Sequence, residues 1–323
     1  MDLTTIFSVS VYSIIGFILA SYSVISNDSV QTLGTFIASN STKFKWYILA
    51  ACASVVLCLT LGYGWYINAG DITFGRLNKI PFQEVKWYHA MAPAILLLLT
   101  RIGIPVSTTF LVLSAFASTF VLEKMLIKSI MGYGLAAVIA YVLWIVISKY
   151  INEKFDHPTH PKSWRTLQWL TTGFLWYTWL SHDMANIAVF LPRQLPIEML
   201  IGVMAICTAL LFYIFYHRGG KIQKIVLSKT GTRYVRSATI IDFIYAFILL
   251  YLKQYNDIPM STTWVFVGLL CGRELAIATM NKEYKLGYVF PIIGRDFLKM
   301  LVGLLVSVAI VLTIHYILIP NGL

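Results

Sequence analysis

The chain has 323 residues, of which 58% are hydrophobic and only 12% charged, where soluble domains carry about 25% charged residues. That balance excludes a soluble globular domain and implies a polytopic integral membrane protein. The formal net charge of +11 is read as basic residues gathered in loops on one side of the membrane. No nucleic-acid partner is expected from it.

The opening stretch MDLTTIFSVSVYSIIGFILA carries Asp2 as its only charge and offers no clean small-residue cleavage site. It predicts a retained membrane segment and not a signal peptide. Apolar runs assigned to membrane crossings lie at about 5–26, 46–69, 126–148, 166–181, 197–216 and 296–319. Two further apolar regions, 87–121 and 237–279, are interrupted by IPVSTT (Ile104–Thr109) and IPMSTT (Ile258–Thr263). Proline and hydroxyls at membrane depth predict a broken helix or re-entrant hairpin. Such backbone is tolerated where it is buried in protein or lines a wet cavity.

These stretches belong to an internal repeat. SNDSVQTLGTF (Ser26–Phe36) precedes the first by the same interval that SHDMANIAVFL (Ser181–Leu191) precedes the second. Asp28 to Ser107 is 79 residues and Asp183 to Ser261 is 78. The predicted organisation is a first transmembrane repeat over 1–148, a polar linker over 149–165, a second repeat over 166–290 and a C-terminal membrane helix over 291–323. With the loop 217–236 set inside, sixteen lysines and arginines fall inside, six fall outside, and Arg101, Lys253 and Arg273 sit near the hairpins. This asymmetry sets the two repeats in opposite senses across the membrane. The predicted fold class is therefore an all-α polytopic membrane protein of two inverted-topology repeats, with interrupted helices and two re-entrant hairpins.

The chemistry is expected at four places. Asp28 and Asp183 are carboxylates flanked by apolar sequence, where a charge is costly and marks an ion or substrate path. Gln31 and Asn186 follow them by three residues, on the same face if helix continues. Carboxylate and amide oxygens are hard ligands suited to Na⁺, so a Na⁺ site is open at Asp28 and Asp183. Ser107, Thr108 and Thr109, like Ser261, Thr262 and Thr263, follow a proline as at a helix start. Two such starts would offer amide and hydroxyl donors to a small oxyanion. His182 beside Asp183 could carry a proton or only donate a hydrogen bond.

Other signals carry less. Cys52, Cys58, Cys207 and Cys271 lack paired spacing and are read as packing residues. DHPTHP (Asp156–Pro161) is read as a turn and the basic loop 216–236 as a contact for anionic lipid headgroups. Arg273 and Glu274, adjacent in sequence, are not expected to share a helix face. No nucleophile–base constellation points to an enzyme, and no cofactor is expected.

Asn-Asp followed by Gly-Thr in NDSVQTLGT, the later HDMAN and the twice-used Pro-x-Ser-Thr-Thr resemble the inorganic phosphate transporter (PiT) family over roughly residues 10–280. The resemblance implies phosphate uptake coupled to Na⁺ or H⁺. It implies a substrate site of Asn27, Asn186, Ser107, Thr108, Thr109, Ser261, Thr262 and Thr263. Asp28, Gln31, Asp183 and His182 would hold the coupling ion. His182 and Gln31 stand where the family has asparagine. Alternatives are a sulfate permease of the same fold, or a non-transporting oxyanion sensor or partner subunit. A prokaryotic inner membrane is the expected location, and a homodimer is compatible with the sequence.

Overall fold

The computed structural model describes residues 10–102, 106–152, 162–220, 223, 235–255, 259–280 and 286–318, and every regular element among them is helical. In chain order these are α1 (Val11–Asn40), α2 (Trp46–Ile67), α3 (Trp87–Ile102), α4 (Thr108–Val112), a 3₁₀ turn (Leu113–Ala115) and α5 (Thr119–Asn152). There follow α6 (Lys162–Asp183), α7 (Ala185–Ala188), α8 (Ile197–Tyr216), α9 (Val235–Tyr255), α10 (Thr262–Met280), α11 (Leu286–Thr313) and a π turn (Ile314–Leu318). Among the described residues, seven helices are long and apolar enough to cross a membrane: α1, α2, α5, α8, α9, α10 and α11, the last with its π turn. The chain is an integral, multi-pass membrane protein. DHPTHP and most of the basic loop lie outside the described residues, as do Ile104, Pro105 and Ile258.

Lipid explains why the structure is helical: unpaired backbone groups are too costly in hydrocarbon, and a helix pairs them within one segment. Val55, Leu59, Leu98 and Leu305 are each at least 58% exposed, which is how a lipid-facing side chain appears. The apolar run expected over about 5–26 continues into the polar stretch that follows it, because α1 runs unbroken from Val11 to Asn40, about 45 Å of helix. The apolar run expected at 166–181 lies in α6, 22 residues long and less apolar than the seven. Its Gln168, Thr171, Thr172 and Thr178 are buried against protein, so its low hydropathy reflects an interior position.

Contacts in one half have counterparts in the other. α1 packs on α3, and α6 on α9; α1 packs on α8, and α6 on α2; α5 packs on α10, and α11 on α4. The α5–α10 contact is the most extensive in the molecule. The two helices run parallel, since Ser129 receives the Ser261 amide at 2.8 Å and Gly132 faces Val265. Farther along, Gly268 and Gly272 lie against the Tyr133 and Ala137 carbonyls, where a Cβ would collide with backbone. This Gly-x-x-x-Gly spacing lets two helix backbones approach closely.

The helix ends gather at two faces. At one, Asn40 at the end of α1 accepts hydrogen bonds from Arg165 Nη1 at 2.6 Å and Trp169 Nε1 at 3.2 Å. At the other, the segment 68–86 folds over the helices. Leu195 donates its amide to the Gly70 carbonyl at 2.9 Å, and Asp71 accepts the Thr73 and Gly75 amides at 2.7 and 2.9 Å. Phe74 adopts a left-handed φ of 53°, unfavourable for a bulky residue. Its ring lies 4.3 Å from Lys253 Nζ. Arg76, two residues on, is 1% exposed.

Candidate functional site

The site is built where α1, the break between α6 and α7, and the two hydroxyl-rich tips converge. Each tip begins a helix with a serine cap. Ser107 Oγ accepts the Phe110 amide and Ser261 Oγ accepts the Trp264 amide, both at 3.2 Å. A serine at this position satisfies an amide that a helix start leaves orphaned. The caps turn the following threonines inward. Asn27, Asp28, Gln31, Ser107, Thr108, Thr109, His182, Asp183, Asn186, Ser261, Thr262 and Thr263 are all buried, none more than 6% exposed.

Asp28 accepts from Asn27 Nδ2 at 2.6 Å and from Gln31 Nε2 at 3.4 Å on one oxygen, and from the Thr108 hydroxyl on the other. Continuation of α1 through this region is what brings Gln31 onto the face of Asp28. Asn27 also donates to the Val106 carbonyl at 2.9 Å. In the second half, Asn186 donates to Asp183 at 3.0 Å across the α6–α7 break, and to Thr108 at 2.9 Å. A hydrogen-bonded path therefore runs from Asp28 through Thr108 and Asn186 to Asp183.

The pattern is crosswise. Thr108, the second hydroxyl of its tip, serves Asp28 of its own half, while Thr109, the third, lies 3.4 Å from Asp183 of the other. In turn Thr262 approaches Asp183 and Thr263 approaches Asp28. Exchange of the halves maps these contacts onto one another. It also maps Phe110 onto Trp264, whose rings lie 5.8 Å apart. Three buried oxygens, Asn27 Oδ1, Asp183 Oδ2 and Asn186 Oδ1, have no hydrogen-bond partner among the described residues. Buried acceptors are normally satisfied, and an unpaired set of hard oxygens is the donor chemistry of a small cation.

His182 is close in sequence but aimed elsewhere: its Nε2 pairs with the Leu249 carbonyl on α9 at 2.8 Å. A carbonyl only accepts, so the ring carries its hydrogen on Nε2. Of the cations near the tips, Lys253 sits over the Phe74 ring, and the side chain of Arg101 lies outside the described residues. Arg273 and Glu274, expected to diverge, form an ion pair at 3.1 Å with both side chains 2% exposed. Their long side chains bend back to meet, and Arg273 also donates to Ser237 at 3.1 Å.

Two features escaped the sequence reading. Asp242 on α9 is 1% exposed and accepts from Thr35 at 2.6 Å and Thr172 at 2.5 Å, joining α1, α6 and α9. The signal was a lone acid inside the apolar run of IIDFIY. The other is Arg76, whose charge acts on Asp183 and His182 from the covering segment. It stands in a polar loop, where nothing in the sequence separates it from a solvated arginine.

No family model matches the sequence, and no curated protein matches it. A solved structure described as "The sodium-dependent phosphate transporter" is similar with a TM-score of 0.59 over 94% of this chain and 96% of that one, at 15% identity. The resemblance read from the motifs thus holds at the level of architecture: the chain has the fold of that transporter along nearly its whole length.

Proposed function

We propose that the chain is a secondary active transporter that carries inorganic phosphate with Na⁺ by alternating access, its halves set in opposite senses across the membrane. The observation that carries this reading is the crosswise arrangement of threonine hydroxyls around two buried carboxylates. The shared fold with a sodium-dependent phosphate transporter supports it.

The charges explain why the ion must be coupled. An oxyanion between the tips would face Asp28 and Asp183, and like charges at close range repel strongly in a dry interior. Arg76 offsets part of this, and cations on the two carboxylates supply the rest. The hydroxyls then link the two ligands. A threonine has one proton to donate, and that of Thr108 is committed to Asp28. A Na⁺ ion held by Asp28 and Asn27 Oδ1 takes over neutralisation of the carboxylate. The Thr108 proton is then free to turn to the oxyanion. The same exchange operates at Asp183 with Thr262 and the unpaired oxygens of Asp183 and Asn186. Cation binding thereby prepares the anion site, and the anion is disfavoured without it.

Uptake of radiolabelled phosphate and sulfate into proteoliposomes tests this. A Na⁺ gradient is expected to drive phosphate accumulation, lost in Asp28→Asn and Ser261→Ala. Stronger sulfate uptake would make the protein a sulfate permease. Uptake driven by a pH gradient without Na⁺ would assign the coupling to protons and restore the role of His182. Saturable binding without flux would identify a sensor or partner subunit instead.

A further inference from the structure

We propose that a basic cavity at the face where α1 ends and α2 begins binds the phosphate of an anionic phospholipid headgroup. The cavity measures about 340 Å³ and is lined by Lys43, Lys45 and Arg218, with no acidic residue among the described residues of its walls. Three cations around one hollow repel one another, and an anion relieves that repulsion. Ser41 and Thr42 add hydroxyl donors to the lining, and Ile37, Leu49 and Phe215 close it with apolar surface. A polar rim above an apolar wall suits a molecule that is charged at one end only.

Its position selects a lipid. Trp46 packs edge-on against Tyr216 at 5.3 Å, and Lys45 Nζ lies 5.8 Å from the centre of the Tyr47 ring. Trp and Tyr collect at the headgroup level of a bilayer, so this cluster marks the depth of the cavity. Below it, the exposed faces of α2 and α8 carry Val55 and Tyr213, 58% and 47% exposed, as a bed for acyl chains. Arg218 reaches the lining from a left-handed φ of 52°. Such a conformation is costly for a residue with a side chain and is maintained where surrounding structure holds it. The first turn of α2 has no side-chain cap, so its amides add a favourable field at the same place.

The cavity is separate from the transport site. Ser41 lies thirteen residues beyond Asp28 on α1, about 20 Å along the helix. It joins α1 and α2 of the first half to α8 of the second. A headgroup seated there clamps the α2–α8 contact and stabilises the assembled halves.

The test uses the purified full chain in zwitterionic detergent, with phosphatidylglycerol, phosphatidylcholine or inorganic phosphate added. Native mass spectrometry of the wild type is expected to retain phosphatidylglycerol over phosphatidylcholine by about 100-fold, from three cations at the headgroup. Thermal stability should rise with phosphatidylglycerol and fall back at high salt. Lys43→Gln/Lys45→Gln/Arg218→Gln is expected to lose both effects while unfolding at the wild-type temperature in phosphatidylcholine. Equal retention of the two lipids by the wild type overturns the proposal, whatever the variant does. So does a stability gain from phosphatidylglycerol that survives in the variant. Inorganic phosphate is compared in the wild type and in Lys43→Gln/Lys45→Gln/Arg218→Gln, which leaves the transport site intact. If it stabilises the wild type as much as the lipid does and loses that effect in the variant, free phosphate is the ligand and the lipid assignment falls.

Discussion

The two hydroxyl-rich tips share a six-residue pattern, yet they are mounted differently. The first opens into α4, five residues long, which gives way to a 3₁₀ turn before α5 begins. The second opens into α10, nineteen residues long, locked along α5 by Gly268 and Gly272. α4 packs on α3 and α11, and on α11 Gly303 faces Val106: an added Cβ would stand 3.3 Å from a Val106 methyl, so that side chain would have to give by a few tenths of an ångström. The second tip is therefore fixed to a long helix pair by backbone contact, and the first opens a short element whose contact at Gly303 is made mainly by the Val106 side chain. Equal chemistry on unequal mounts suits the proposed alternating access, in which one wall of a site moves while the other holds the ligand.

The strongest way to break this comparison is to disturb the fixed mount. Gly272→Leu drives a side chain into the Ala137 carbonyl and is expected to cost at least about 3 kcal/mol, seen as loss of the folded protein in a thermal melt. Gly303→Ala, on the loose mount, should cost less than about 1 kcal/mol in the same melt. Comparable losses at both glycines would remove the distinction.

A finer test compares the hydroxyls. Thr108 donates to Asp28 and accepts from Asn186, whereas Thr262 approaches Asp183 and lies against Tyr245, which donates to its carbonyl at 2.9 Å. Thr108→Val is expected to raise the KM for phosphate uptake by about tenfold, the weight of a hydrogen bond to a charged group, and Thr262→Val by about threefold. The smallest effect is expected at His182. His182→Asn loses the bond to Leu249 and should lower stability by about 1 kcal/mol. The pH profile of Na⁺-driven uptake should not move, and a shifted profile would place His182 in the ion path.

Much of the site was legible because it is written twice. Neither Asp28 nor IPVSTT is decisive alone, but matched spacing in two halves made chance a poor explanation, and the structure brings Asp28, Asp183 and the threonines of the two tips together. What was not legible depends on where side chains turn. Nothing in SHDMAN says that His182 faces α9 while Asp183 faces the tips; that follows from how α6 packs on its neighbour. The continuity of α1 was hidden by its polar stretch Ser26–Thr35, which looks like a break and is a helix face buried in protein. Arg273 and Glu274 were misjudged because backbone direction was allowed to stand for the reach of two long side chains. Asp242 was passed over because its partners, Thr35 and Thr172, lie 207 and 70 residues away.

A transporter driven by an ion gradient, as proposed for this chain, must not leak that gradient. Phe110 and Trp264 touch where the two halves meet, one residue past each row of hydroxyls, and both are buried. Two rings in contact leave no room for a file of water between the tips, and without such a file neither protons nor bare ions have a wire to follow. Under the proposed function the pair serves as insulation: it separates the two rows of hydroxyls and carboxylates with apolar surface, so that the gradient is not short-circuited.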